Sequence, residues 1–241
     1  MIHLVIDSIS DIGPVEAAAL GVELLILPVR FGEEEFHEGV DLTREEFYQR
    51  LRACTDSLPK TSQITPDQYK KVFRRLTENE GDEVVCLVGS SKLSGCCQSA
   101  RVAREMLSNP ERVIVIDSKI AISGYALLAR MAAAYRPLCT TAQELADYLH
   151  NGNIKNGVNL HNVSLERAGV ARICVIHKNV PRMINRFLDL IGEQNINVEH
   201  MINKPRGEVA YTIIDTGSDI PAEIEQKIGA MQEVMRVRVI R

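Results

Sequence analysis

The chain has 241 residues, 45% of them hydrophobic and 25% charged, with a formal net charge of -4. That is ordinary globular composition, long enough for one large domain or two modest ones. No basic block with interleaved aromatic residues is present, which argues against nucleic acid as a partner.

The apolar run at residues 2–6 ends at Asp7, far short of a signal sequence, and no run approaches the roughly twenty residues of a membrane span. A cytoplasmic protein is expected. The six cysteines (Cys54, Cys86, Cys96, Cys97, Cys139, Cys174) form no CxxC pair and have no His partner at zinc-ligand spacing. His161, His177 and His200 share no i,i+4 helical face, and His37 and His150 read as surface residues. Reduced thiols and no metal are therefore expected.

Residues 2–6 read as a strand. Ser10 or Asp11 caps a short helix with Pro14 in its first turn and Gly21 at its end. Residues 22–29 form an apolar run long enough for a second buried strand. Asp41-Leu42-Thr43 introduces a helix over residues 45–52, with Thr43 and Glu46 at the spacing of a capping box. A further helix runs from Pro66 to about Asn79.

The best-marked stretch is 84–101. A valine-rich run at 84–88 reaches Gly89 and breaks into Ser90, Ser91, Lys92, Leu93, Ser94 and Gly95, before residues 98–107 resume at helical spacing. That pattern is a buried strand, a small-residue loop and a helix N-terminus. Unpaired N–H groups in the first helical turn favour a carboxylate or phosphate, although serines and glycines cap helices equally well with no ligand. With a strand at 112–117 the stretch completes a βαβ unit, which implies a mostly parallel sheet covered on both faces. Ligands in such sheets lie beyond the strands' carboxyl ends, here Asp7-Ser8, Gly89-Ser90-Ser91 and Asp117-Ser118.

Asp7-Ser8-Ile9-Ser10-Asp11, Glu38-Gly39-Val40-Asp41-Leu42-Thr43, Lys60-Thr61-Ser62-Gln63, Ser90-Ser91-Lys92-Leu93-Ser94-Gly95 and Val115-Ile116-Asp117-Ser118 resemble the successive motifs of the DegV family. The resemblance implies a lipid-binding protein that holds a long-chain fatty acid in a tunnel between two lobes. It also implies that the carboxylate meets Thr61, Ser62, Ser94 and Gly95 and is presented, in some members, to a fatty acid kinase. Cys96-Cys97 stands where the family has Thr and an aromatic residue. The family's second lobe, expected after residue 135, is not legible in residues 136–241, so another element is expected to cover the apolar face.

A helix capped by Thr141 runs through Glu144, Leu145 and Tyr148, and the Asn-rich stretch 151–162 reads as a loop or linker. Beyond it come a strand at 172–176 and a helix with Val180, Met183, Ile184, Phe187, Leu188 and Ile191 on one face. A strand at 196–202, a turn at 205–207, an alternating strand at 208–215, a helix at 221–232 and a strand at 235–240 complete βαββαβ. That order gives an antiparallel four-stranded sheet with two helices on one face.

This half resembles the ACT domain, and more closely the carboxyl-terminal domain of phosphoglycerate dehydrogenases, through Gly152-Asn153-Ile154-Lys155-Asn156, His177-Lys178-Asn179-Val180-Pro181 and 203–211. The resemblance implies a homodimer that binds L-serine at its interface. His177 and Asn179 would come from one subunit and Asn197 from the other. Arg182 replaces the glycine that the family carries after the proline.

No GxGxxG follows a strand, so neither a nicotinamide site nor any other cofactor is expected. Ser57-Leu58-Pro59-Lys60 spells SxxK without its companion motifs. Cys96 and Cys97 read as buried small apolar groups, with a redox sensor the less favoured alternative. The expected organisation is a DegV-like α/β lobe at 1–135, a helix and linker at 136–168, and an ACT domain at 169–241. The expected function is non-catalytic binding of a fatty acid under amino-acid control. The alternative is an L-serine sensor with no lipid ligand.

Overall fold

The computed structural model describes residues 1–55, 58–155 and 160–241. Ser57 of the SxxK sequence and Asn156 of the 152–156 motif lie outside the described residues. The chain divides into two units, Met1–Ala146 and Asp147–Arg241.

In the first unit, β1 (Ile2–Asp7), α1 (Pro14–Leu20), β2 (Glu23–Leu25), β3 (Pro28–Phe31), β4 (Glu34–His37), α2 (Arg44–Ala53), β5 (Lys60–Thr61), α3 (Pro66–Leu76), β6 (Glu83–Val88), α4 (Cys96–Glu105), β7 (Val113–Asp117) and α5 (Ile122–Tyr135) follow in order. The parallel sheet has the order β2-β1-β6-β7. Val5, Val84, Cys86 and Val88 face Tyr69 and Phe73 of α3 and Cys96, Cys97, Ala100 and Ala103 of α4. The alternate residues Leu4, Ile6, Val85 and Leu87 are also buried, as are Tyr125, Ala129 and Ala132 of α5. Burial of both faces is why these strands read as unbroken apolar runs.

The run at 22–29 is not one strand. Glu23–Leu25 pairs parallel to β1, whereas Pro28–Phe31 joins a separate antiparallel sheet of order β4-β3-β5. The break has two causes: Ser8 Oγ accepts the Leu27 N–H at 3.0 Å, and Pro28 has no N–H to continue a ladder. Neither Ser10 nor Asp11 caps α1. Its cap residue is Gly13, with no side-chain bond, while Asp11, at φ 59°, ends the preceding 3-10 turn and Ser10 donates to the Asp7 carbonyl at 2.8 Å.

The capping box of α2 forms as expected, Thr43 accepting from the Glu46 N–H and Glu46 from the Thr43 N–H; α3 has an equivalent box, Thr65 with Gln68. Sequence reading missed the short β4 and β5 and the alanine-rich α5.

Helix α6 (Ala142–Asn151) spans the division between the units. In the second unit, β8 (Ala171–Lys178), α7 (Met183–Gly192), β9 (Val198–Arg206), β10 (Val209–Thr216), α8 (Ala222–Gly229) and β11 (Val234–Ile240) give an antiparallel sheet of order β11-β8-β10-β9. Ile173, Val175 and Ile214 pack against Phe187 and Ile191 of α7 and Ile224 and Ile228 of α8, which places both helices on one face. Helix α7 begins at Met183, later than the apolar periodicity implied, because Arg182 takes φ 69° and Val180 stays outside. The hairpin turn is tighter than expected, with Arg206 paired to Val209.

The sheet's other face is met by residues from 147–155 and 160–168. Tyr211 donates to the Gly152 carbonyl at 2.7 Å, and Arg172 Nη1 donates to the Asn151 and Leu165 carbonyls at 2.8 and 3.0 Å. Arg172 also makes a fully buried two-point ion pair with Asp215, at 2.5 and 2.7 Å.

Candidate functional site

The carboxyl ends of β1, β6 and β7 bring Asp7, Gly89 and Asp117 together. Asp7 is fully buried; its two carboxylate oxygens accept the Ile9 N–H at 3.0 Å and the Gly89 N–H at 2.9 Å. Burial pushes its carboxyl up to about 6, against those two bonds. Tyr125 of α5 locks this end of the sheet by accepting the Asp7 N–H and donating to the Leu87 carbonyl. Asp117 accepts from the Ser91 N–H at 3.1 Å, the Ser91 hydroxyl at 2.5 Å and the Lys119 N–H at 2.9 Å. Although burial opposes them, these bonds hold its carboxyl below the usual range.

The loop between β6 and α4 is folded on itself, with the Leu93 and Ser94 N–H groups both donating to the Ser90 carbonyl. Ser94 and Gly95 are half-buried at the start of the ten-residue α4. Ser94 Oγ accepts the Cys96 N–H at 3.2 Å and lies 3.1 Å from Cys96 Sγ. Thr61 and Ser62 are exposed; Thr61 of β5 pairs with Val29 of β3, and the Ser62 N–H donates to the Pro28 carbonyl at 3.3 Å. The next residue closes the distance to the loop. The Gln63 side chain lies directly over Gly95, where a Cβ would meet Gln63 Oε1 at 1.6 Å. Gln63, which follows Thr61 and Ser62, is therefore a neighbour of Gly95.

Sequence reading passed over three features here. One is the burial of Asp7, a residue marked in the sequence by its place at a strand end and in the first family motif. Another is Tyr69, buried under the loop. The last is a cavity of about 190 Å³ beside Ser8, Asp11, Ile12, Leu24, Ile26 and Arg44. The Arg44 guanidinium at its rim is paired with Asp11 at 2.7 Å and Glu38 at 3.5 Å.

The second constellation is dispersed within one chain. His177 is buried, its Nε2 2.8 Å from Thr212 Oγ1 and its Nδ1 2.8 Å from the Lys178 carbonyl, with Phe187 edge-on at 5.2 Å. Both ring nitrogens are thus engaged within the fold. Asn179 is exposed and donates to the Gly207 carbonyl at 3.2 Å, near the end of β9, whereas Asn197 precedes the start of that strand. Among the described residues no group of three or more His, Cys, Asp or Glu side chains converges as a metal site. All six cysteines are free, with Cys96 and Cys97 buried.

The family model described as "Uncharacterised protein, DegV family" matches residues 1–150. The chain belongs to the DegV family. DegV domain-containing proteins of Halalkalibacterium halodurans and Caldanaerobacter subterraneus are 36% and 35% identical over 148 and 132 residues, covering 61% and 55% of this chain and 52% and 46% of theirs. The chain spans about half the length of these curated relatives.

Among solved structures, a DegV protein of Thermus thermophilus described by its fatty acid binding superposes with a TM-score of 0.56 at 23% identity, over 86% of this chain and 69% of its own. A stearic acid-binding protein of Eubacterium ventriosum gives 0.56 at 23% identity, over 95% and 74%. These likenesses establish the DegV fold. Coverage of 95% takes in residues beyond Ala146, so the likeness extends into the antiparallel unit although the family model stops at residue 150. Among the described residues no helix is long and apolar enough to cross a membrane.

Proposed function

We propose that this DegV chain binds a long-chain fatty acid and grips its carboxylate with Thr61, Ser62, Ser94 and Gly95. The observation that supports the reading is the half-buried Ser94 at the start of α4, with Gln63, the residue after Thr61 and Ser62, lying over the adjacent Gly95. The free N–H groups of that first turn favour an anion. The fatty-acid and stearic-acid binding of the two superposed DegV proteins supplies the ligand class.

The role is binding, and an exposed carboxylate loop fits presentation of the acid to a fatty acid kinase. Titration with cis-parinaric acid tests the grip. A hydrogen bond to a charged group contributes about 1.5–3 kcal/mol, so Ser94→Ala is expected to weaken binding about tenfold or more. Unchanged affinity would remove Ser94 from the site.

The second unit supports a regulatory reading of the ACT kind through its βαββαβ connectivity and its strand order β11-β8-β10-β9. In that reading L-serine is bound by Asn179 and His177 of one protomer and Asn197 of its partner in a homodimer. It requires the His177 ring to exchange its Thr212 or Lys178 bond for the ligand. Titration calorimetry with L-serine tests it, and no heat at millimolar ligand would sink it.

A further inference from the structure

Gln63 follows Thr61 and Ser62, and its backbone is held on both sides. Before it, Thr61 pairs with Val29 and the Ser62 N–H donates to the Pro28 carbonyl at 3.3 Å. After it, Ile64 is buried and Thr65 closes the capping box of α3. The side chain between these anchors lies over Gly95 so closely that a Cβ there would overlap Gln63 Oε1. Glycine is required at 95 by this approach and not by its backbone, which is helical at φ -74°.

The orientation of the carboxamide has an electrostatic reason. The start of a helix carries the positive end of the peptide dipoles, and Gly95 gives α4 no side-chain cap. Oε1, the negative end of the amide, is the atom turned toward Gly95, and Nε2 is the outer atom, 3.3 Å from the point where the Cβ would stand. The Gln63 side chain is exposed and makes no hydrogen bond among the described residues. Both N–H donors of Nε2 are therefore unspent.

The Ser94 hydroxyl is in a different condition. Its oxygen accepts the Cys96 N–H at 3.2 Å, and its single proton is donated to Cys96 Sγ at 3.1 Å. It can grip a ligand only by letting go of the sulfur, which is a weak acceptor. A carboxylate presents about four lone-pair sites, more than one hydroxyl can fill.

We propose that Gln63 selects the ligand's headgroup: its carboxamide, seated on Gly95 with Nε2 outward, donates to the fatty acid carboxylate alongside Thr61, Ser62 and Ser94. This rests on the fatty-acid reading and names its specificity. A carboxylate, which only accepts, is taken; a primary amide of the same chain length, which brings N–H groups of its own, is disfavoured.

The experiment is displacement of cis-parinaric acid from the full chain by oleate and, separately, by oleamide. The two competitors share the acyl chain, so their affinity ratio is blind to changes that merely loosen the fold. Gln63→Met keeps the length without the donor and is expected to lower the oleate preference by about tenfold, the equivalent of one hydrogen bond to a charged group. Gln63→Glu puts an acceptor where the donor was and is expected to invert the preference, weakening oleate and tightening oleamide. Gly95→Ala, which suits the helical backbone but unseats the carboxamide, is expected to match Gln63→Met, and combining the two is expected to add nothing.

A wild-type preference retained in Gln63→Met and Gln63→Glu would overturn the role of Gln63 while leaving fatty-acid binding intact. Tighter oleate binding by Gln63→Met would also overturn it, the carboxamide then being an occupant that the ligand displaces. A wild-type chain that binds neither probe nor competitor would overturn the fatty-acid reading and the role of Gln63 with it.

Discussion

Asp7 shows how one buried acid ties stability to pH. Its folded pKa is raised from 3.8 to about 6, so the folded chain holds this proton more tightly than the unfolded one. Its contribution is fully present below 3.8 and is lost as pH rises to about 6. At 1.36 kcal/mol per unit the loss between pH 4.5 and 7.5 is about 2 kcal/mol. Urea unfolding of wild type and Asp7→Asn at those two pH values is expected to show that component only in wild type; equal pH dependence would place the proton elsewhere. Arg182 is the other informative residue. At φ 69° it occupies the left-handed region that glycine tolerates without a Cβ clash. Arg182→Gly is expected to raise stability by about 1 kcal/mol, read as a higher urea midpoint, and a lower midpoint would show that the side chain has contacts outweighing the strain.

At the scale of elements, the local signals were legible and the long-range ones were not. Thr43 with Glu46 closes a capping box within one turn, so the sequence carried it. Thr65→Ala, which opens the equivalent box of α3, is expected to cost about 1 kcal/mol by chemical denaturation, and no loss would mean that α3 is held by Tyr69 and Phe73 alone. The division of residues 22–29 between two sheets was legible only in Pro28, because its other cause is Ser8, nineteen residues from Leu27.

The same holds for residues 147–155 and 160–168, part of the stretch 136–168 read as helix and linker. Its packing on the second sheet is organised by Arg172 and Asp215, which are 43 residues apart. Arg172→Met strands a buried carboxylate and is expected to cost about 3–5 kcal/mol, whereas adding Asp215→Leu is expected to recover most of it. Additive losses in that double-mutant cycle would show that the two side chains act independently.

For the whole molecule, mass spectrometry of an organic extract of the denatured protein is expected to yield a fatty acid near one per chain. An empty extract would leave amino-acid binding or dimerisation as the leading role for the chain. Sedimentation is expected to report a dimer, and a monomer at all concentrations would remove the paired serine site.

The sequence by itself carried the DegV motifs, and it determined the parallel sheet and the βαββαβ order because apolar periodicity, caps and loop glycines act within a few residues. It also marked Thr61, Ser62, Ser94 and Gly95. Only the tertiary structure decided that Gln63 closes over Gly95, that Ser94 rests on Cys96 above Tyr69, and that both nitrogens of His177 are engaged by Thr212 and Lys178. Most of those contacts join residues distant in the chain. They form where burial leaves a polar atom no partner but the one that packing brings to it, a condition that local sequence does not encode.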